Sequence, residues 1–509
     1  ETIPATGVYD GLKYSKLSDE TCAVIGVDNY TGNDIVIPKA ILNDYTVTEI
    51  GENAFAGCTA TSIYIPDGIK KIGARAFYGC GNLTEIHISD IVSWCRIEGL
   101  DNLMRYKIYK ELHLNNELIT NLVIPDSVTS IGNFAFRNCT GLTSVAIPDS
   151  VTSIGVGAFS NCSRLTSVTI PDSVTFIGNS AFSKCTGLTN VIIGNGVTSI
   201  GNSTFSNCSG LTSITIPEGV VSIGDFAFYG CSGLTNMAIP DSVADIGVFA
   251  FGECSALISV KIGDGATSIG ERAFSECGAL TSVTIGDGAA SIGELAFSKC
   301  GALTSVTIGN GATSIGEHAF SECSALTSVI IGGGTIGRFA FDGCSGIKNV
   351  TIGRNVTSIG DLAFSAYGNL TKIYISDIIS WCRIEGLGNL MGCADNKELY
   401  LNNELITNLI IPKGVTSIST AAFYGCSCFT AVTIPDSVTS IGENAFYGCS
   451  GLSSIFYKGT VEQWGKINVA TDGNYNLTTA KRYYYSETKP TEAGDYWHYD
   501  TDGVTPVIW

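Results

Sequence analysis

The sequence predicts a repeat solenoid, in which short coils stack and share one continuous interior. A marker of the form I-G-x-x-A-F-x-x-C recurs at fifteen positions, and its phenylalanines are 23 residues apart throughout the stretch from Phe136 to Phe320. The residues between the markers alternate between apolar and polar. Because one coil cannot bury its apolar side alone, neighbouring coils must stack. We therefore expect a mainly β fold with short strands in each 23-residue rung, short helical or 3-10 turns, and an elongated, curved array.

A single rung illustrates the pattern. In the segment from Leu165 to Ile170, Leu165, Val168 and Ile170 fall on the buried side of an L-x-x-L-x-L strand, and the polar residues between them face outward. A turn follows, and Phe182 and Cys185 return to the core. The predicted core ladder of the middle rungs comprises Phe136, Phe159, Phe182, Phe205, Phe228, Phe251, Phe274, Phe297, Phe320, Cys139, Cys162, Cys185, Cys208, Cys231 and Cys254.

Fourteen of the nineteen cysteines occupy the same rung position, and Tyr367 interrupts their ladder. A disulfide framework is one interpretation, since secreted chains often carry one. A column of buried, reduced thiols is the favoured interpretation, because cysteine packs as a small apolar residue and the Cβ vectors of stacked rungs run parallel.

Two insertions interrupt the repeat, at residues 86–125 and 373–412, and they match each other at an offset of 287 without a gap. This match indicates an internal duplication. Each insertion is predicted to be a rung that returns through a short helix, capped in the first by Ser89 or Asp90. Asn-Asn pairs within residues 114–119 and 401–406 predict hairpin turns. Trp94 and Trp381 are predicted to plug the core, although contact with a partner is the alternative.

Three segments follow from these patterns. Residues 1–45 are predicted to form an N-terminal cap of short strands, and residues 46–454 the solenoid with both insertions. Residues 455–509 should form a diverged last rung and a C-terminal cap or tail, in which residues 460–467 repeat the helix of the insertions.

The charge of the chain restricts its partners. The formal net charge is −19, which disfavours binding to nucleic acid and to anionic lipid. No apolar run reaches about 18 residues, so direct membrane insertion is not expected. The chain starts at Glu1 without an apolar leader, which favours a mature form from which any leader has been removed.

The rung resembles the BspA-type leucine-rich repeat of bacterial cell-surface proteins over roughly residues 35–460, and both flanks resemble the ends of that family. The resemblance implies a leucine-rich-repeat solenoid on an extracellular or cell-surface protein. It further implies a protein partner, such as a host matrix or cell-surface protein, and a function in adhesion.

The residues provide no catalytic motif. No C-x-x-C pair, H-E-x-x-H motif or G-x-S-x-G motif occurs. His87 and His113 share the first insertion, but Tyr374 and Tyr400 replace them in the second, so all four histidines are predicted to be ordinary surface residues. We expect no enzyme, no metal and no cofactor.

The outward strand positions remain as the candidate binding surface, and most carry small hydroxyl or amide side chains that simply solvate the sheet. Binding energy concentrates on Tyr, Trp and Arg, so Tyr374 is the best single candidate. The candidate partner-binding residues are Tyr374, His87, Lys261, Ile192, Ile330 and Lys372. A glycan-binding module and a passive surface spacer are the alternatives to a protein-binding surface.

Overall fold

A computed structural model describes residues 5–28, 32–41, 45–105, 109–365, 369–393 and 396–509. The chain divides into two compact units, residues 1–257 and 258–509. Each unit stacks short parallel strands in register, with only a few short helices, so the predicted mainly β solenoid is confirmed. The predicted segment limits at residues 45 and 454 stay predictions.

Every regular rung contributes two strands. In one rung of residues 1–257, the strand Ser167–Ile170 alternates exposed and buried side chains, and a second strand, Phe176–Ile177, follows the turn. Ser167 pairs with Asn190 and Ile170 with Ile193 in the next rung. Because the rungs have equal length, each apolar position meets the same position in its neighbour, and the core is continuous along the unit.

The strands of residues 1–257 form N-terminal pairs, outward rung strands and shorter second strands. They are Thr6–Tyr9, Leu12–Lys16, Thr21–Val27, Asp34–Val36, Ala40–Ile41, Tyr45–Ile50, Ser62–Ile65, Lys71–Ile72, Glu85–Ile88, Glu111–Leu114, Glu117–Leu118, Asn121–Val123, Ser130–Ile131, Ser144–Ala146, Ser153–Ile154, Ser167–Ile170, Phe176–Ile177, Asn190–Ile193, Ser199–Ile200, Ser213–Ile214, Ser222–Ile223, Asn236–Ile239 and Asp245–Ile246. The helices are Ile91–Cys95 and Asp101–Met104.

Residues 258–509 repeat this arrangement. Their strands are Ser259–Ile262, Ser268–Ile269, Ser282–Ile285, Ser291–Ile292, Ser305–Ile308, Ser314–Ile315, Ser328–Ile336, Asn349–Ile359, Lys372–Ile375, Glu398–Leu401, Glu404–Leu405, Asn408–Ile410, Ser417–Ile418, Ala431–Ile434, Ser440–Ile441, Ser454–Tyr457, Asn468–Val469, Lys481–Tyr485, Tyr496–Tyr499 and Pro506–Ile508. The helices are Ile378–Trp381, Gly388–Met391, Val461–Trp464 and Tyr475–Thr479. In the rung that is two residues short, Gly332, Gly333 and Gly334 let one strand run unbroken from Ser328 to Ile336.

The phenylalanines of the predicted ladder stack on one another in both units. Neighbouring rings from Phe136 to Phe251 stack with centroids 5.0–5.6 Å apart, and those from Phe274 to Phe364 with centroids 5.0–5.2 Å apart. All of these rings are buried. The backbone N–H of Phe159 also donates to the carbonyl of Ala181 in the next rung, and other rungs repeat this bond. The ladder therefore combines apolar burial with a backbone hydrogen bond at each step.

The cysteine ladder has a polar role beyond packing. The Sγ of Cys185 lies 3.2 Å from the carbonyl oxygen of Phe159 and that of Cys208 lies 3.1 Å from the carbonyl oxygen of Phe182, so each thiol donates to the preceding rung. Burial raises the pKa of Cys185 to about 12, which keeps this thiol protonated. In this arrangement the thiols satisfy carbonyls that face the core. The reduced state of the whole ladder stays a prediction. The break predicted at Tyr367 lies outside the described residues.

Both insertions have the predicted short helix, and both tryptophans are core residues as predicted. Trp94 and Trp381 are each 1% exposed. Their indole N–H groups donate to the carbonyls of Ala135 and Ala422, both at 2.8 Å. In a regular rung, the backbone N–H of a phenylalanine donates to the corresponding alanine carbonyl. The indole thus takes the place of the phenylalanine ring, and its N–H takes the place of the phenylalanine backbone N–H as hydrogen-bond donor.

The caps and turns of the insertions also agree with the sequence. Asp90 caps the first helix by accepting from the backbone N–H of Ser93 at 2.6 Å. Asn115 and Asn116, with φ of 51° and 69°, form the turn of an antiparallel hairpin. Positive φ at both turn positions is what the tightest hairpins require, and asparagine tolerates it well.

The C-terminal segment packs instead of trailing away. Trp497 is fully buried against Phe456 and Tyr483, and its indole N–H donates to the carbonyl of Tyr457 at 2.9 Å. The strand Tyr496–Tyr499 pairs with Lys481–Tyr485, which extends the stack. This packing favours the capping alternative for the tail, which stays a prediction. Within the described residues, no helix has the length and apolar character that crossing a bilayer requires.

Candidate functional site

The outward face of residues 258–509 aligns several candidate residues in one column. Lys261 pairs with Thr284, Thr307 with Ile330, Ile330 with Thr351, and Thr351 with Tyr374. In-register parallel pairing therefore brings Lys261, Ile330 and Tyr374 onto the same line of side chains. Ile330 is 42% exposed although it is apolar. This column is a continuous surface that a partner can contact.

An aromatic and charged group stands at the end of this column. We call Lys372, Tyr374, Glu398 and Tyr400 the tyrosine cluster. The rings of Tyr374 and Tyr400 stack at 4.8 Å, and the Lys372 ammonium lies 5.8 Å from the Tyr400 ring centroid. The Tyr400 hydroxyl donates to Glu398 at 2.7 Å, and this hydrogen bond raises the pKa of Tyr400 to about 12. Tyr400 was missed as a candidate, although the strand L-Y-L at 399–401, which matches L-H-L at 112–114, indicates it.

The two candidates in residues 1–257 lie in separate sheets. Ile192 pairs with Thr169 and is 53% exposed among small polar neighbours. His87 belongs to the sheet that contains Asp34–Val36, Ser62–Ile65, Glu85–Ile88 and Glu111–Leu114. The structure therefore does not join these two residues into one site.

The expectation of ordinary surface histidines does not fit His87, which is buried, whereas the expected absence of a metal site stays a prediction. We call Glu85, His87, Glu111 and His113 the histidine cluster. His87 is only 9% exposed, because its ring lies between Tyr64, 4.1 Å away, and His113, 4.6 Å away. Ligand atoms of Glu85, His87 and His113 all lie within 4.8 Å of one another. Parallel pairing of the strands at 85–88 and 111–114 brings the two histidines together despite their separation in sequence.

Two buried lysines support the insertions and were also missed by the sequence patterns. Lys110 and Lys397 occupy equivalent positions and are each 1% exposed. The Nζ of Lys110 donates to the Leu83 carbonyl, and that of Lys397 donates to the Met391 carbonyl, both at 2.5 Å. Because their ammonium groups bind backbone carbonyls in the interior, these lysines are part of the buried framework and not of the outward surface.

Comparison with protein families identifies the repeat. Residues 32–98, 106–235, 221–335, 332–384 and 396–478 match the BspA type leucine rich repeat region, with six copies. These matches cover most of the chain. No curated protein matches it.

Several of the solved structures that match this chain are bacterial proteins. The chain is 26% identical to a leucine-rich repeat protein from Bacteroides ovatus, with 94% of this chain and 99% of that one covered and a TM-score of 0.51. It is 25% identical to a leucine rich cell surface protein from Faecalibacterium prausnitzii, with 92% and 98% covered and a TM-score of 0.33. The pneumococcal vaccine antigen PcpA is 17% identical, with 95% and 99% covered and a TM-score of 0.38.

Proposed function

Since this chain belongs to the family with the BspA type leucine rich repeat region, we propose that it is a protein-interaction scaffold whose outward strands bind another protein. The tyrosine cluster is the centre of the proposed surface. Its stacked rings present apolar area, while Lys372 and Glu398 supply charge at the edge. Aromatic anchors beside polar groups are typical of the positions that dominate protein interfaces.

The single observation that carries this proposal is the alignment of the tyrosine cluster with the column that starts at Lys261. Both tyrosines are half-buried by each other, so they lose little side-chain freedom when a partner binds. Between Lys261 and Ile330 the column carries only the small side chains of Thr284 and Thr307. A broad contact anchored at one end is therefore the binding mode that this face favours.

We extend the proposal to place and role. The resemblance to bacterial surface proteins favours an extracellular or cell-surface location and adhesion to a host matrix protein or a protein of a neighbouring cell. Leucine-rich-repeat families generally act as scaffolds without catalysis, so an enzymatic role is not proposed.

A binding measurement tests the proposed surface. The purified full chain is passed over immobilised matrix proteins and cell-surface proteins, and the Kd of each pair is measured by biolayer interferometry. Replacing both tyrosines, Tyr374→Ala with Tyr400→Ala, should remove about 2 kcal/mol or more of binding free energy, which weakens the Kd by roughly 30-fold.

The matched control uses the same column. Thr284→Ala with Thr307→Ala changes two small outward side chains and should alter the Kd by less than about twofold, since most interface positions contribute little. Circular dichroism melting verifies that each variant is folded. Unchanged binding after loss of both tyrosines would contradict the proposed centre. If the chain bound none of the immobilised proteins, the result would favour a passive spacer.

A glycan partner is the second candidate, and the stacked tyrosines favour it specifically. An exposed aromatic face can pack against a sugar ring, while Lys372 and Glu398 can bond its hydroxyls. A glycan array separates the two candidates. Two results together would support this second function. The array should show a saccharide-selective signal that Tyr374→Ala abolishes, and the chain should not bind the matrix or cell-surface proteins once their glycans have been removed.

A further inference from the structure

The histidine cluster carries an inference that is independent of the proposed partner surface. We propose that Glu85, His87 and His113, with Glu111 as the fourth ligand, bind one divalent transition-metal ion of the zinc type. The site lies on the outward face of residues 1–257, where two Glu-x-His strands pair in parallel register. Glu85 lies beside Glu111 and His87 beside His113, so the two strands supply two imidazoles and two carboxylates.

Three of the side chains, those of Glu85, His87 and His113, converge, and Glu111 lies beside His113. The Nε2 of His87 is 3.7 Å from a carboxylate oxygen of Glu85, and the Nε2 of His113 is 3.6 Å from a carboxylate oxygen of Glu111. The Nε2 atoms of His87 and His113 therefore both face the glutamate side chains. Zinc bonds of about 2.0–2.2 Å in a tetrahedron place ligand atoms roughly 3.4 Å apart. Three of the ligand atoms already lie within 4.8 Å of one another, so each pair has to approach by at most about 1.4 Å to reach that spacing.

The nitrogens of the cluster are unsatisfied without a ligand. Nδ1 and Nε2 of both His87 and His113 are shielded from solvent, and none has a hydrogen-bond partner among the described residues. A buried polar atom without a partner costs about 1–3 kcal/mol, so four of them in two touching rings are unfavourable. Coordination through Nε2 removes one such atom from each ring and fixes both rings in place.

The donor set selects the class of metal. Imidazole nitrogen with carboxylate oxygen suits zinc and its first-row neighbours, whereas calcium and magnesium prefer oxygen alone. The rings of Tyr64 and His113 stack on the two faces of His87 and restrict tilting of its ring. This rigidity favours a small, fixed coordination sphere over the flexible shell of calcium.

Isothermal titration of the chelator-treated full chain with Zn²⁺ tests the site, with the thiols kept reduced. We expect one zinc per chain, and Ca²⁺ in excess should not compete. His87→Ala and His113→Ala should each weaken the zinc Kd by more than about 100-fold, since loss of a direct ligand exceeds the usual effect of losing an outer partner. Glu111→Gln should weaken it less, by roughly 10-fold, because Glu111 lies outside the three residues whose ligand atoms are within 4.8 Å of one another.

Cysteine binding is the main competing explanation, and cobalt distinguishes it. Co²⁺ in the proposed site should give a tetrahedral visible spectrum without a thiolate charge-transfer band. Tyr374→Ala with Tyr400→Ala is the matched control and should leave the stoichiometry at one. If a histidine variant fails to fold, Glu85→Gln takes its place, because the Glu85 side chain is half-exposed. The same weakening of the zinc Kd is expected. Absence of zinc binding, or unchanged affinity in the ligand variants, would overturn the proposal.

Discussion

The two insertions share one framework and differ on their outward strands. Residues 86–125 and 373–412 have equivalent helices, hairpins and buried tryptophans, with the indoles bonded to equivalent alanine carbonyls at the same distance. On the outward strands, by contrast, Glu85, His87 and His113 are replaced by Lys372, Tyr374 and Tyr400. Glu111 and Glu398 stay the same.

The difference separates what packing fixes from what it leaves free. A buried indole that also supplies a backbone hydrogen bond has few acceptable substitutes, so it is the same in both copies. Outward side chains contact only their neighbours in the column, and they can change together without altering the rung. One framework therefore carries the proposed metal site in one copy and the proposed aromatic binding surface in the other.

The largest effect should come from the shared tryptophans. Trp94→Ala and Trp381→Ala should each reduce the free energy of unfolding by about 3–5 kcal/mol, because a fully buried ring is lost. Urea denaturation followed by circular dichroism measures both values. Trp464→Ala, in the half-buried third copy, is the control and should cost less. A large loss in only one insertion would show that the two frameworks are not equivalent.

A transplant tests whether the outward residues alone make the difference. Lys372→Glu, Tyr374→His and Tyr400→His recreate the histidine cluster on the second framework, and Thr351→Tyr adds the counterpart of Tyr64. We expect the chain to bind a second zinc and to gain about 2.7 kcal/mol of stability at a zinc concentration 100 times the Kd. Calorimetric stoichiometry and thermal melting measure this. A stoichiometry that stays at one would mean that ligand identity is not sufficient.

The fold was predictable because its causes are periodic in the sequence. Phe182 and Cys185 recur at fixed spacing, and the duplicated Trp94 lies beside apolar residues, so their burial follows from pattern alone. The donation from the indole to the Ala135 carbonyl was not predictable, since it depends on which backbone donor the insertion removes.

The histidine cluster was missed for a related reason. The helical return changes the spacing between rungs, so His87 and His113 do not fall at the regular repeat distance. Alignment of the strands E-I-H-I at 85–88 and E-L-H-L at 111–114 provides the signal that could have found them. The burial of His87 depends in addition on Tyr64, one rung earlier.

An intermediate effect should follow from removing only the indole donor. Trp94→Phe and Trp381→Phe keep an aromatic ring but leave the carbonyls of Ala135 and Ala422 without this partner, so each should lose about 1–3 kcal/mol of stability. Urea denaturation measures the loss against the alanine variants. Phenylalanine variants as unstable as the alanine ones would indicate that ring shape, and not the hydrogen bond, determines the choice of tryptophan.

The smallest effect should come from the helix caps. Asp90 and Asp377 accept from the backbone N–H groups of Ser93 and Ser380 at 2.6 and 2.8 Å, so Asp90→Ala and Asp377→Ala should each cost about 1 kcal/mol. Asparagine at either position is the control, because its side-chain oxygen can still accept.

Acid should remove part of this contribution in the first insertion. Burial opposes ionisation of Asp90, but the amide hydrogen bonds from Ser93 and Val92 outweigh it and lower its pKa. A lowered pKa in the folded state stabilises the fold above the pKa of the unfolded chain, and this stabilisation is lost as the pH falls through the folded value. The stability difference between the native chain and Asp90→Ala should therefore shrink in acid, and a difference that stays constant with pH would mean that the carboxylate charge does not contribute to the cap.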